Sequence, residues 1–329
     1  MRKKTLFLVI LCLVSAMLLL GCASVPGSVA DAPAVEPTPL PAGAPVSGPI
    51  TLTDMMGRTV TLDGPAQSVV ALTASDCEIL YAIGAGELLV GRGEYCDYPQ
   101  EVLAVPSVES GFETNIEQIL SLAPDVLIMA TMNQPKEQVD ALEAAGVHVI
   151  VSNAADIEGT YEAIRLIGAA TGRSTEAEAV CLSMRQTFDA VAADKEKNTG
   201  KSVYFEVSPL AYGLWTAGRG TFMDEVAEML GLTNCFTDVE GWAEISEEQV
   251  IERNPDFIVT ISMSFDGEPS PIEEILSRPG WENIRAVRNG AILNLTGNEL
   301  SRPAPRLASG AAVLSGFVRA FDENAGLIG

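Results

Sequence analysis

Residues 117–128 read EQILSLAPDVLI, and residues 248–259 read EQVIERNPDFIV. Each begins with Glu-Gln at the head of a short helical run, breaks at Pro-Asp and continues into a block of strand-forming residues. Proline cannot continue a helix, and it pushes the residue before it out of the helical region. The spacing therefore predicts helix, sharp stop and buried strand, twice over. A chain that repeats this unit is built from two similar α/β halves.

The flanking sequence extends the pattern. Aliphatic runs at 68–72 (SVVAL), 88–91 (LLVG), 147–152 (VHVIVS), 202–207 (SVYFEV) and 291–295 (AILNL) read as strands. Between them lie helical stretches at 75–86, 134–146, 221–231, 271–277 and 303–321, with Ser or Thr at several starts and Gly at several ends. Strands that alternate with helices of this length mean βαβ units and a mainly parallel sheet. A hairpin over 50–62, turning at Met56-Gly57, opens the folded part. From Ile157 to about Lys197 there is no strand pattern, only two helices; the second, over 174–197, would be about 24 residues and roughly 36 Å long. The fold class expected is α/β: two lobes with mainly parallel sheets flanked by helices, joined by one long backbone helix. The lobes are expected at 50–172 and 201–329, with the joining helix within 173–200.

The chain has 329 residues, 47% of them hydrophobic and 6% aromatic, and a net charge of −24. Such an acidic chain repels nucleic acid and anionic lipid surfaces. At its start, Arg2, Lys3 and Lys4 precede an apolar run from Leu6 to Leu20, followed by Leu19-Leu20-Gly21-Cys22. That is the form of a secretory signal over 1–21. The apolar run, about 15 residues, falls short of the roughly 20 that span a bilayer. Residues 22–49, rich in Pro, Ala, Ser and Gly, read as a flexible tether. Export permits disulfides, and placement at neighbouring strand ends makes Cys77–Cys96 the expected pair, with free buried thiols as the alternative. His148 is the only histidine, so a structural zinc site is not expected.

Ligands of open α/β sheets bind on the loops beyond the carboxyl ends of the strands. Here those loops are 73–77, 91–99, 110–115, 130–134, 212–222, 239–246, 262–267 and 296–306. They carry Tyr95, Tyr98, Phe112, Tyr212, Trp215, Trp242 and Phe265, while Trp281 lies in a connecting segment. Aromatic residues on loops point to ligand contact; packing of Trp215 and Trp242 against the sheet is the alternative. No GxSxG or HExxH occurs, Gly84-Ala85-Gly86 closes a helix, and His148 begins a strand, so no catalytic residue is assigned. A haem would draw an axial ligand from Tyr95, Tyr98, Met132, Met223 or Met263.

Taken in order, LLGC (19–22), TDMMGRTVTL (53–62), GRGEYCDYP (91–99), NIEQILSLAPDVLI (115–128), WAEISEEQVIERNPDFIV (242–259), RPGWENIRAVRNGAI (278–292) and SRPAPRL (301–307) resemble the substrate-binding proteins of ABC importers for cobalamin and ferric-siderophore complexes. The resemblance runs from residue 50 to about 320. It implies cleavage before Cys22, a diacylglyceryl anchor on its sulfur, and a monomer at the outer face of the cell membrane. It also implies limited lobe closure on a small metal–organic ligand and delivery to an ABC permease dimer with its ATPase subunits. No intrinsic cofactor is implied. By resemblance to the cobalamin-binding members, Tyr95, Trp215, Trp242 and Arg302 face the ligand. Asn298 stands where those members have an aspartate, and Phe112 is the nearest aromatic to a missing tryptophan. Cobalamin or a related corrinoid is the expected ligand; a ferric siderophore or haem is the alternative, and a chelatase-like enzyme on the same kind of fold is an alternative of another class.

The repeated glutamates then acquire a meaning. Asn115 and Ser246 are N-caps, with Gln118 and Gln249 expected as capping-box partners. Glu117 and Glu248 follow on the first turns, where a carboxylate complements the helix dipole. The resemblance implies that one glutamate per lobe docks onto a permease subunit.

Overall fold

The computed structural model describes residues 48–110, 114–130, 136–262 and 269–326. Strands β1 (Ile50–Thr53) and β2 (Thr59–Leu62) form the expected hairpin, Ile50 opposite Leu62. Buried Asp54 ties the turn by accepting from the Met56 and Arg58 backbone N–H groups at 3.0 and 2.9 Å. The other oxygen of the same carboxylate accepts from Val151 N at 3.2 Å, so the hairpin is pinned to the sheet that follows.

That first sheet is built in the order β3 (Val69–Ala71), α1 (Ala74–Ala82), β4 (Leu89–Gly93), β5 (Ser107–Val108), α2 (Ile116–Ser121), β6 (Val126–Met129), α3 (Lys136–Ala144) and β7 (His148–Val151). Its strands lie β5-β4-β3-β6-β7, all parallel. Helices α4 (Ile157–Ala170) and α5 (Ser174–Ala192) then cross to the second half. Helix α5 has 19 residues and ends earlier than its composition predicts. The chain tightens into a 3-10 turn over Lys195–Asn198 and leaves through Gly200 at φ 88°.

The second half contains β8 (Ser202–Glu206), β9 (Leu214–Ala217), α6 (Phe222–Leu230), β10 (Thr233–Asn234), β11 (Trp242–Ile245), α7 (Glu247–Arg253), β12 (Phe257–Thr260), α8 (Pro271–Ser277), α9 (Arg285–Asn289), β13 (Ile292–Asn294) and α10 (Leu307–Gly326). The strand order is β11-β9-β8-β12-β13, with β10 beside β8. Here β8, β10, β12 and β13 are parallel, whereas β9 runs antiparallel to both β8 and β11. The chain is thus α/β with two helix-flanked sheets, and α5 lies between them in sequence and packs on α4, α6 and α10.

The opening repeat occupies the same place in each half. Strand β6 lies between β3 and β7, and β12 lies between β8 and β13; all four residues of each are buried. This explains the uninterrupted apolar runs, since a strand covered on both faces has no polar side. Each such side chain contributes about 1.5–3 kcal/mol on burial.

The Pro-Asp break does more than end a helix. Asp125 accepts from Ser68 N at 3.0 Å and donates its own N–H to the Ser68 hydroxyl at 2.9 Å. Asp256 repeats the arrangement with Ser202, at 2.8 and 3.2 Å. In each half a Ser–Asp clasp sets the register between the first strand and its central neighbour.

Strands β9 and β11 correct the reading of 212–222 and 239–246 as loops. Each has only four residues and begins next to a glycine, Gly213 or Gly241, so neither shows enough alternation to stand out. The pairing of one with the other, Trp242 opposite Ala217 and Glu244 opposite Trp215, makes them strands.

Candidate functional site

The loop after β4 is pressed hard against β3. A side chain at position 93 would place its Cβ 2.1 Å from the Leu72 carbonyl oxygen, so only glycine fits. Beyond it, Tyr95 is exposed and Cys96 buried, and the Tyr98–Pro99 peptide is cis. Arg92 holds the loop from within by donating to the carbonyls of Gly93, Glu94 and Cys96 at 3.1, 3.4 and 3.1 Å.

From this loop Asp97 reaches the loop that follows β13. Its Oδ1 accepts from Arg302 Nη1 at 2.6 Å, and its Oδ2 lies 3.5 Å from Asn298 Nδ2. Arg302 Nη1 also donates to Glu78 Oε1 at 3.0 Å. Arg306 takes both oxygens of Glu78, Nε to Oε2 at 2.9 Å and Nη2 to Oε1 at 2.6 Å. Its guanidinium lies 3.6 Å over the Tyr98 ring. A cluster of two carboxylates and two arginines therefore joins α1 and the loop after β4 in the first half to the loop after β13 in the second. Burial pushes the Arg302 guanidinium down, but hydrogen bonds to Asp97 and Glu78 outweigh it and hold the group above its ordinary value. Asp97 responds in the opposite sense. Partial burial raises it, and the Arg302 pair more than compensates, leaving its carboxyl below the usual range.

Of the expected ligand contacts, Asn298 and Arg302 are thus brought together. Asn298 sits at φ 63°, a left-handed turn that asparagine tolerates. Trp215 and Trp242 come together elsewhere. In the antiparallel register, Trp215, Ala217, Trp242 and Glu244 share one face of the β9–β11 ribbon, and the two indoles are diagonal neighbours on it. They are 38% and 44% exposed, enough to offer ring faces to a ligand. Trp242 also packs on Phe222 at 5.4 Å, so packing and exposure coexist. Phe112, with the loop residues 111–113, 131–135 and 263–268, lies outside the described residues, as do Met132, Met263, Phe265 and Cys22. Met223 is fully buried, so of the axial-ligand candidates that are described Tyr95 and Tyr98 are open, Tyr98 with one ring face covered by Arg306.

Glu78 is not among the residues singled out from the sequence, and Arg306, where the loop 296–306 overlaps the helical stretch 303–321, lies just before α10. In α1, Asp76, Cys77, Glu78, Ile79 and Leu80 are all buried in succession, which only the folded structure shows. Two buried carboxylates in one helix must have partners. Asp76 finds hydroxyls, Thr73 and Ser152, and burial lifts its carboxyl from 3.8 to about 6 against their pull. In the second half the corresponding buried carboxylate is Glu206, paired with Arg278 at 2.6 Å, both side chains 1% exposed.

The thiols differ from expectation. Cys77 and Cys96 are free, not joined in a disulfide, although they face one another closely enough to hydrogen-bond. That contact, followed by burial, pushes the Cys77 thiol well above its ordinary value. Placement at adjacent strand ends brought the side chains together, as the topology requires, without the covalent bond. Among the described residues no group of three His, Cys, Asp or Glu could hold a metal ion, and no helix is long and apolar enough to cross a membrane.

The repeated glutamates sit where the caps place them. Glu117 and Glu248 are exposed on the first turns of α2 and α7. Ser246 and Gln249 close the full capping box. Asn115 caps Gln118 N at 3.0 Å, but Gln118 turns its side chain away to accept from Glu109 N at 3.0 Å, so the expected box is only half made. The Glu248 carboxylate is held below its usual range by its own backbone N–H and the Ser246 hydroxyl.

Known proteins share this architecture and sequence. The profile of the periplasmic binding protein family matches residues 69–298. The uncharacterized ABC transporter substrate-binding lipoprotein YvrC of Bacillus subtilis is 30% identical over 92% of this chain and 93% of its own length. A cobalamin-binding protein of Halobacterium salinarum is 29% identical over 79% of this chain and 72% of its own. Among solved structures, a periplasmic heme-binding protein from Pseudomonas aeruginosa superposes with a TM-score of 0.67 at 30% identity, covering 76% of this chain and 91% of that one.

Proposed function

We propose that this chain, which belongs to the periplasmic binding protein family, is the substrate-binding component of an ABC importer for cobalamin or a related corrinoid. In this reading Cys22 carries a diacylglyceryl anchor at the outer face of the cell membrane. The lobes capture the corrinoid between them, and Glu117 and Glu248 dock the loaded protein on a permease dimer with its ATPase subunits. It acts without a catalytic residue or an intrinsic cofactor.

The observation that carries the ligand assignment is the β9–β11 ribbon, with two exposed indoles side by side on one face. A corrin is a large, mostly apolar macrocycle fringed with amides. Adjacent indoles suit its face, and Tyr95, Asn298 and the free edge of Asp97 supply donors and acceptors for its fringe. The cobalamin-binding relative from Halobacterium salinarum supports the same class.

Calorimetry on the purified chain tests this. Cyanocobalamin should bind with submicromolar affinity, about −8 kcal/mol or better. Buried aromatic anchors commonly cost about 2 kcal/mol on truncation, so Trp242→Ala should weaken binding at least about tenfold. No heat with cyanocobalamin, alongside tight binding of hemin or a ferric siderophore, would overturn the corrinoid assignment and leave the transport role in place.

A further inference from the structure

The cleft loops contain four arginines, and each is already engaged. Arg92 divides its Nη1 among three backbone carbonyls, and Arg219 pairs with Glu240 at 2.7 Å. Arg302 and Arg306 are held by Glu78 and Asp97. An arginine fork is the side chain best suited to bind a carboxylate in two-point fashion. In Arg306 that fork is filled from below by Glu78, which is 3% exposed. Arg302 Nη1 is divided between Glu78 and Asp97. Two cations balance two anions, and Glu299, 3.6 Å from Arg306, tips the cluster toward negative.

We infer that Glu78 and Asp97 set the charge selectivity of the cleft, occupying the two arginines of the last loop so that an uncharged, amide-fringed ligand is accepted and a polyanionic one is refused. This rests on the reading that the cleft is the ligand site. A ligand carboxylate that drew Arg306 away would leave buried Glu78 with only the single Nη1 contact of Arg302, a state disfavoured for a buried carboxylate. An amide makes no such demand. It can donate to Asp97, whose side chain is 51% exposed, while the arginines stay where they are. Glu78 is therefore a positioning residue that acts through Arg302 and Arg306, and Asp97 stands at the edge where a ligand would meet the cluster.

The test compares an uncharged and an anionic macrocycle. Cyanocobalamin and hemin, with its two propionates, are titrated into the full chain, Glu78→Gln and Asp97→Asn, each checked by circular dichroism and melting. Releasing an arginine should shift the ratio of hemin to cyanocobalamin affinity toward hemin, by about tenfold or more for Glu78→Gln and about threefold for Asp97→Asn, and the gained hemin binding should weaken with salt. A purely structural role would lower both affinities together and leave the ratio unmoved. An unchanged ratio in both folded variants overturns the inference; if Glu78→Gln does not fold, the half-exposed Asp97→Asn decides alone. If the wild type ignores cyanocobalamin yet the variants gain hemin, the selectivity inference stands and the corrinoid reading falls. If the wild type binds cyanocobalamin and neither variant shifts, the reverse holds.

Discussion

In the first half, Asp76 is buried just beyond β3 and accepts from two hydroxyls. In the second, Glu206 is buried at the end of β8 and meets the Arg278 guanidinium, which also stacks on Trp281 at 4.3 Å and binds Glu274. Both carboxylates lie at or just beyond the carboxyl end of the first strand of their sheet. The scaffold beneath them is the same, down to the clasps Ser68–Asp125 and Ser202–Asp256. Only the treatment of the buried charge differs. In both halves burial raises the carboxyl above its usual value; hydroxyls oppose that at Asp76, and at Glu206 the Arg278 guanidinium opposes it in a pairing that is costly to break from one side.

The largest effect should come from breaking the ion pair. Glu206→Ala leaves Arg278 buried with Glu274 as its remaining carboxylate, and the loss should be about 3 kcal/mol in urea unfolding. A loss under about 1 kcal/mol would mean that Glu274 alone satisfies the guanidinium, and the contrast between the halves would disappear.

Asp76 should respond with the opposite sign. Its folded pKa is raised from 3.8 to about 6, so between those values the folded chain binds a proton that the unfolded chain has released. Stability from this group is therefore fully present below about pH 4 and is lost as pH rises toward 6. Asp76→Asn removes the titration while keeping an acceptor for one hydroxyl. It should stabilise the chain at pH 7.5 by about 1–3 kcal/mol and give little or nothing at pH 4. Equal effects at both pH values would show that the charge of Asp76 is not what the fold pays for.

How much of this was legible depends on the range of the interaction. The repeat, the longer strands and helices, the hairpin and both N-caps follow from local signals: Pro-Asp, glycine stops, and Asn or Ser before a helix. Strands β5, β9, β10 and β11 and helix α9 did not, because strands of two to four residues are defined by their partners and not by their own period, and α9 is a single turn. The Glu78 cluster was hidden for a related reason. Residues 78, 97, 302 and 306 touch only after two sheets have formed and their loops meet, and no spacing along the chain records that. The Cys77–Cys96 proximity was readable from neighbouring parallel strands, but proximity does not decide the redox state.

On the docking proposal the two halves should behave alike, despite the full capping box at Ser246 and the half-made one at Asn115. Glu117→Ala and Glu248→Ala should each leave cyanocobalamin affinity within about twofold, since both carboxylates are exposed on helix ends and a surface substitution changes little else. Uptake by cells carrying either variant should fall, and the double variant should fall furthest. Loss of ligand affinity in a folded single variant would place that glutamate in the cleft and end the symmetry argument.

The smallest effect concerns the residue before each proline of the repeat. Ala123 and Asn254 both sit at φ 47°, in the left-handed region. A side chain there costs about 1–2 kcal/mol in a regular left-handed conformation. Glycine removes the cost but adds freedom to the unfolded chain worth about 0.4–1 kcal/mol. Ala123 is exposed and its side chain has no polar group to lose, so Ala123→Gly should stabilise the chain by about 0.5 kcal/mol. Asn254 occupies the equivalent turn, but its Oδ1 accepts from Arg285 N at 2.8 Å and so ties the end of α7 to α9. Asn254→Gly deletes that acceptor, and the missing hydrogen bond, worth about 1 kcal/mol, outweighs the relief of strain. The same substitution at matched positions should therefore raise the urea midpoint in the first half and lower it in the second. Midpoints that moved in the same direction would mean that the side-chain bond of Asn254 adds nothing beyond its tolerance of the turn.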